Sequence, residues 1–518
     1  MKYYKYLIIA FGVWLLAWLY ISWPAVQDDA FIHLRYAANL LRHHMISYDG
    51  VHPDYGTSSL LYVWLLAGLR AFCKSPVLPR AVSSIFHLLL FAGLAWEFPR
   101  ALRKAPRLAW MFAAVLLGFL VMPMAVRWLD DGMETSLTLC LVSLIVFAVS
   151  RFGHSEVVQK RSMAWLAILG FVATLTRVEY LLLLGIVSVT LFLTRVEWSP
   201  ASAERRGIGE YVRLGMECAL PLAGSLLAAA LIYVTMHGLI PDTAIAKADG
   251  HARWMDTLGS TFSVLVSSMS MGALLVIFWL ITAAALIAYR RRLALSVLVA
   301  NSLFPVVLVL AVLRGQQIQG VRYFLWTLLF PILWNILELR WNDALPSPVA
   351  TRGVAVATYG LVGLLLVSVP IESFLLYREF RAREQSLAEF REQHLEQLRP
   401  LKLVAFDVGY IGYFTDSPLC DMAGLVNGRA RAALPFETRV RECVAEHPDY
   451  AFVSGFSLVE LNNAMSLKNW SVCSIYNLAN LRSADLHYLI ASPAATREVC
   501  AAAGNAPSPL APLLQTTR

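Results

Sequence analysis

Charge is what this sequence is short of. Asp, Glu, Lys and Arg make up 15% of its 518 residues, against 58% that are hydrophobic, where a soluble domain carries roughly 25% charged residues. That balance excludes a soluble globular protein and points to a polytopic membrane protein. A Gly-rich nucleotide loop is also missing, and no internal repeat or low-complexity tract stands out. The net charge of +8 brings no nucleic-acid reading, because the basic residues punctuate hydrophobic runs instead of gathering into a patch or a basic helix.

What the chain has in quantity is apolar runs of spanning length. The first, Tyr6 to Trp23, follows Lys2 and Lys5 but has no small-residue cleavage site before the acidic pair beyond it, so it reads as an uncleaved first helix. Others lie near residues 81–99, 108–126, 135–150, 214–236, 259–289, 293–313, 322–338 and 351–370. The run 163–194 is too long for one crossing and carries Arg177 and Glu179 at its middle, so it is expected to split into two short helices at a buried polar site. Segment 57–73 is shorter than the ~20 residues of a span and is expected to be interfacial or re-entrant. The count is about 11 transmembrane helices, and the positive-inside rule then places the N-terminus in the cytoplasm and everything after residue 371 outside.

The terminal region reads differently. A charged, helix-like stretch over 371–400 ends at Pro400 and is expected near the membrane surface. Short β-rich runs follow, such as "LKLVAFDVGYIGYF" and "PDYAFVSG", which suggest a small α/β domain over 401–518. The organisation is thus a transmembrane module (1–370), a juxtamembrane helix (371–400) and an extracytoplasmic domain. Four of the seven cysteines, Cys420, Cys443, Cys473 and Cys500, fall in the last part; an oxidising compartment allows two disulfides there, and the spacing matches no zinc pattern. Cys73, Cys140 and Cys218 read as packing residues.

In this topology the charged residues outside the membrane gather in a few loops. These are Asp28, Asp29, His33 and Arg35; Arg127, Asp130, Asp131 and Glu134; Arg177 and Glu179; Asp242, Lys247, Asp249, His251 and Arg253; and Arg314 and Arg322. Carboxylates beside cations on one membrane face suit a reaction in which a hydroxyl loses a proton while a phosphate leaves. Plainer readings compete. Either acidic pair could cap a helix, Arg177 and Glu179 could form a buried structural pair, His33 and His251 read as surface histidines, and Arg314 and Arg322 as interfacial anchors.

The runs "DDAFIHLRYAANL", "YGTSSL", "DGMETSL", "LTRVEYLLL", "IPDTAIAKADG" and "GVRYF", in that order, resemble bacterial membrane glycosyltransferases of the GT-C superfamily. Within it the chain looks most like the mycobacterial terminal arabinofuranosyltransferase family, which uses decaprenyl-phosphate-linked arabinofuranose. The resemblance implies a catalytic base at Asp28 or Asp29, a second acidic position at Asp130 or Asp131 for acceptor or metal, and a donor phosphate held by Lys247, with Arg177 and Arg322 next. Glu134, Glu179, Arg35 and His251 are supporting candidates. The sequence departs from the family pattern at Val178, Asp242 and Ala244.

The implied protein is a polytopic α-helical enzyme of the bacterial inner membrane. It inverts configuration as it moves a sugar, in the first instance arabinofuranose, from a polyprenyl phosphate to a hydroxyl of a cell-envelope glycan, glycolipid or pilin-like protein. Whether a divalent cation takes part is left open. A transporter or lipid flippase is the alternative; it predicts charges and broken helices near the midplane of several spans.

Overall fold

The computed structural model describes residues 2–103, 105–153, 160–198, 207–248, 255, 258–259, 261–263, 271–289, 295–314, 321–341, 348–478 and 486–516. Helices dominate up to residue 392, and a six-stranded sheet follows. The first nine helices in order are α1 (Lys2–Ile21), α2 (Asp28–His43), α3 (Leu60–Arg70), α4 (Leu78–Ala101), α5 (Arg107–Leu120), α6 (Pro123–Leu129), α7 (Thr135–Gly153), α8 (Lys160–Thr176) and α9 (Tyr180–Trp198).

Among the described residues, 6 helices are long and apolar enough to cross a membrane, or up to 9 if each sharply bent pair counts as one span. The sequence had suggested about 11. Length explains part of the gap: Leu325–Glu338 has 14 residues, about 21 Å at 1.5 Å per residue, short of a hydrocarbon core of about 30 Å. Every residue of that helix is buried, so it is surrounded by protein and not by lipid. It packs against α7. The run 163–194 does break, into α8 and α9, and Arg177 at the break is 4% exposed.

Segment 57–73 forms α3, of 11 residues, whose start is capped by the Ser59 side chain accepting from the Tyr62 N–H. It lies against α2. The apolar run at 351–370 and the charged stretch after it are one helix, Pro348–Glu392, of 45 residues. At about 68 Å it is more than twice the bilayer core. Its last turns bury Phe380, Leu387 and Phe390, and Phe390 stacks on Tyr410, Phe414 and Tyr476.

The strands are β1 (Leu403–Ala405), β2 (Leu419–Asp421), β3 (Tyr450–Ser454), β4 (Ser471–Asn477), β5 (Leu486–Ala491) and β6 (Ser508–Pro509), in spatial order β2-β1-β3-β5-β4-β6. β1 runs parallel to β2 and β3, and the other pairs are antiparallel. The carboxyl ends of β1 and β3 and the amino end of β5 therefore lie along one edge, where Asp407 and His487 face each other. The four cysteines form two bridges, Cys420–Cys443 and Cys473–Cys500.

Candidate active site

Two neighbouring residues on a helix point about 100° apart, because 3.6 residues make one turn. That rotation separates Asp28 from Asp29. Asp28 turns to the terminal domain, where its two oxygens accept the backbone N–H groups of Gly409 (2.9 Å) and Tyr410 (2.7 Å) at the start of the Gly409–Thr415 helix. A Cβ at Gly409 would collide with the Asp28 carbonyl, so only glycine permits this approach. Phe31 adds an apolar seal on the same side, 4.5 Å from the Tyr410 ring and 5.3 Å from Tyr413.

Asp29 turns toward the bundle. Its Oδ2 accepts from Arg322 Nη2 at 2.5 Å, while Arg322 Nη1 donates to Asp131 Oδ2 at 3.2 Å and to Gln27 Oε1 at 3.0 Å. One guanidinium thus ties the first turn of α2 to the loop before α7. Gly132, at φ +91, makes that loop possible, because a Cβ there would meet Ala30 and Val26.

A third group of contacts sits one turn along α2. His33, four residues from Asp29, shares its face. Its Nδ1 is 2.8 Å from the Thr57 hydroxyl and its Nε2 is 3.4 Å from Glu134. The expected surface histidine is therefore 2% exposed and part of a buried network. Glu134 Oε1 accepts from Arg177 Nε (3.0 Å) and Nη2 (2.7 Å), and Ser58 donates to it at 3.1 Å. Arg177 pairs with Glu134, 43 residues away in sequence, and not with Glu179, which stays exposed at the cavity wall.

Arg177, Lys247 and Arg322 converge on the Tyr323 ring, at 5.5, 5.8 and 5.3 Å from its centroid. Lys247 also donates to the Tyr323 hydroxyl at 3.3 Å. Burial raises the phenol, yet Lys247 and Arg322 outweigh it and bring Tyr323 down to about 8. The same opposition acts on Asp29: burial pushes its carboxyl up, Lys247 and Arg322 pull it down further, and it ends below the ordinary carboxylate range. Asp28 moves the other way, to about 7, through burial and then the nearby Asp407 carboxylate, with the two N–H bonds only partly offsetting them. Burial likewise raises Asp131 in spite of Arg322. Arg177 and His33 hold Glu134 well below its usual value against burial.

Two cavities meet at Asp29 and Arg322, which line both. The first, of about 370 Å³, has Lys247, Arg177 and Tyr323 at its polar end and Leu181, Leu182, Val307 and Leu310 along its wall. The second, of about 440 Å³, lies toward the terminal domain and is lined by Asp28, Arg127, Arg383 and Asp407 among others.

Of the residues singled out from the sequence, Asp29, Asp131, Glu134, Arg177, Lys247 and Arg322 come together. Asp130 does not join them: it is fully buried and bonded to His87 Nδ1 at 2.7 Å, and His87 Nε2 reaches the Leu120 carbonyl at 2.8 Å. Arg35 faces the terminal domain, donating to the Tyr48 and Gly412 carbonyls and lying 3.5 Å from Asp416. His251, with Asp249 and Arg253, lies outside the described residues. Among the described residues no group of three or more His, Cys, Asp or Glu is placed to hold a metal ion. Tyr323 was not singled out, although "GVRYF" was; its place beside Arg322 in that run was the available signal.

A membrane bundle with a cluster of carboxylates and cations at one end, closed by an α/β domain, is the architecture of a polytopic helical membrane protein. The particular relatives follow from comparison. The chain is 26% identical over 260 residues to the terminal β-(1→2)-arabinofuranosyltransferase of Mycobacterium tuberculosis (strain ATCC 25618 / H37Rv), a match over 48% of this chain and 38% of that protein. The family resemblance carried by the sequence motifs thus recurs in the curated relative. Residues 376–497 match a family described only as a domain of unknown function (DUF8728). Two structures of the Archaeoglobus fulgidus oligosaccharyltransferase are similar at TM-scores of 0.45 and 0.43. One is a complex with an inhibitory peptide and a dolichol-phosphate, at 12% identity over 94% of this chain and 74% of that one; the other is a complex with zinc and sulfate, at 13% over 92% and 72%. Likeness of that degree carries neither fold nor function.

Proposed function

We propose that the protein is an inverting glycosyltransferase that takes a sugar, arabinofuranose by its resemblance, from a polyprenyl phosphate and passes it to a hydroxyl of a cell-envelope acceptor. The observation that carries this reading is the shared wall: one carboxylate, Asp29, and one guanidinium, Arg322, stand between a cavity suited to a lipid phosphate and a polar cavity. The isoprenoid lies along the apolar wall of the first cavity. Its phosphate meets Lys247, Arg322 and Arg177, of which Arg322 is paired with Asp29 and Asp131 and Arg177 with Glu134.

Asp29 takes the proton of the acceptor hydroxyl as that oxygen attacks the anomeric carbon. The bond from that carbon to the phosphate oxygen breaks, and the cations stabilise the charge that accumulates on the phosphate. A carboxyl held low stays ionised at neutral pH and is ready to accept. Arrival of the phosphate strengthens it further, because Arg322 and Lys247 are then shared with a second anion. Asp28, with both oxygens committed to backbone N–H groups, docks the terminal domain.

In the same reading the transmembrane module covers 1–370 with about 11 spans, the charged helix 371–400 leads out of the bilayer, and the domain 401–518 stands on the periplasmic side of the inner membrane. The test is transfer of labelled sugar from synthetic polyprenyl-phosphate arabinofuranose by wild type, Asp29→Asn and Asp28→Asn. Loss confined to Asp29→Asn supports the assignment; full activity in Asp29→Asn ends it.

A further inference from the structure

The segment that carries Lys247 is held from two sides. Asp242–Ala246 is a helix of 5 residues with Lys247 as its C-cap, and a helix that short does not hold on its own. Its start is fixed to the loop before α3: the Asp242 N–H donates to the Tyr55 carbonyl at 2.8 Å, and Asp242 Oδ2 accepts the Tyr55 N–H at 3.2 Å. The other side is the terminal domain. The short helix packs against Arg429–Ala432 of that domain, and the Arg429 guanidinium lies so close to Gly238 that a Cβ there would collide with it. Gly238 follows the end of the helix Leu220–Met236, whose C-cap is His237; a cation is favoured there by the negative end of the helix dipole. Arg429 also acts on Asp242, which is 2% exposed. Burial raises that carboxyl, and the Tyr55 N–H and then Arg429 oppose the rise.

Arg429 stands at the end of a loop that is itself pinned. Asp421 ends β2 beside the Cys420–Cys443 bridge, and its oxygens accept the N–H groups of Ala423 (2.8 Å), Leu425 and Val426 (3.0 Å). Asn427 Nδ2 donates back to the Leu419 carbonyl at 3.0 Å. Leu425, in the same loop, lines the first cavity, as do Pro241, Thr243 and Lys247. Its carbonyl meets Gly56, where a Cβ would collide, so only glycine lets the domain come this near. A rigid part of the terminal domain thus abuts the turn that aims Lys247. Asp242, the acidic end of this contact, is one of the positions at which the sequence departs from the family pattern.

We propose that Arg429 of the terminal domain is a positioning residue for Lys247: acting through Gly238 and Asp242, it fixes the turn from which the lysine reaches the polyprenyl phosphate, so that docking of the domain sets the affinity for the lipid. Arg429 lines neither cavity, so its effect on the phosphate is carried by the segment it braces. The inference rests on the lipid-phosphate reading of the first cavity and adds to it a dependence on the domain.

The experiment titrates the full chain in lipid nanodiscs with a short-chain polyprenyl phosphate that carries no sugar, by calorimetry, and records the thermal unfolding of each protein. Wild type is compared with Arg429→Ala, Arg429→Lys, Gly238→Ala and the double variant of Arg429→Ala with Gly238→Ala. Arg429→Ala is expected to weaken binding about 5-fold, the order of a coupling between separate sites. Gly238→Ala displaces the guanidinium without altering the domain and is expected to do the same, and the double variant to bind no more weakly than either single one. Arg429→Lys keeps the cation and is expected to recover most of the affinity. Unfolding should be unchanged throughout, because Arg429 is exposed and surface substitutions cost little. Binding by Arg429→Ala equal to wild type, losses that add in the double variant, or a loss that comes with a lower unfolding temperature and is not restored by Arg429→Lys overturns the inference and leaves the lipid-phosphate reading standing. No binding of polyprenyl phosphate by wild type ends that reading and the inference with it.

Discussion

The bundle and the terminal domain solve opposite problems of solvent. The bundle leaves large apolar side chains such as Leu227, Val234, Leu366 and Val367 exposed and buries its ions, whereas the domain exposes few large apolar residues, Phe456, Ile475 and Leu486, and closes its core with two disulfides. Hydrocarbon accepts the first surface and water the second. The lesson lies at their junction, where one turn of α2 serves both: Asp28 is bound by the domain and Asp29 by the bundle.

The sharpest test of that division sets the two carboxylates against each other. Asp29→Asn is expected to lower transfer by about 10³-fold, within the range for removal of a general base, while the affinity for polyprenyl phosphate holds or rises because a competing anion has gone. Asp28→Asn loses one of its two acceptors and is expected to reduce transfer by less than about 10-fold, through looser docking. Turnover with labelled donor and direct binding of the lipid phosphate read the two effects separately. Equal losses in both variants would mean that the turn is one functional unit and the comparison fails.

Next in size is the bundle's own ion pair. Glu134→Gln leaves the buried Arg177 without its carboxylate, and breaking such a pair costs about 3–5 kcal/mol. Thermal unfolding in detergent should show it, together with weaker lipid-phosphate binding as Arg177 loses its orientation. The domain's counterpart is covalent. Replacing Cys420 and Cys443, or Cys473 and Cys500, by serine opens a loop of 23 or 27 residues and is expected to cost about 3 kcal/mol. Limited proteolysis should find the domain loosened and the bundle intact; a bundle that melts with it would show that the junction, and not either core, limits stability.

How much of this was legible in the sequence follows the same line. Hydropathy and loop charges marked the helices, the broken run at Arg177 and the set of loops that carry the site, because each is a local pattern. Contacts between distant segments were not legible. "TRVEY" offers Glu179 beside Arg177, but the helix break turns the guanidinium to Glu134, 43 residues back. Asp130 and Asp131 are equivalent in the sequence, yet one caps α6 against His87 and the other meets Arg322. Nor could "DDAF" tell which carboxylate belongs to which region, since that depends on the arrival of Gly409, 381 residues further on. The number of spans is hard to read from a sequence where a buried helix mimics a lipid-facing one, as Leu325–Glu338 does: both are apolar, and only length and packing tell them apart.

The smallest expected effect, per unit of the variable changed, is the pH dependence of the junction. Asp28 is raised to about 7 in the docked state, first by burial and then by Asp407 and Asp29, against the Gly409 and Tyr410 N–H groups. When the domain comes away, the carboxyl returns to its ordinary value near 4. Between those two values the docked state holds a proton that the undocked state has released, so stability falls as pH rises through that window and levels off above about 7. The slope from this one group is at most about 1.4 kcal/mol per pH unit. Other carboxylates at the junction titrate too, so the quantity to measure is the difference between wild type and Asp28→Asn in the melting of the domain from pH 4.5 to 8. That difference should fall as pH rises. A difference that instead grows with pH would mean that Asp28 is docked as a fully charged cap, and the contrast with Asp29, held low by Lys247 and Arg322, would disappear.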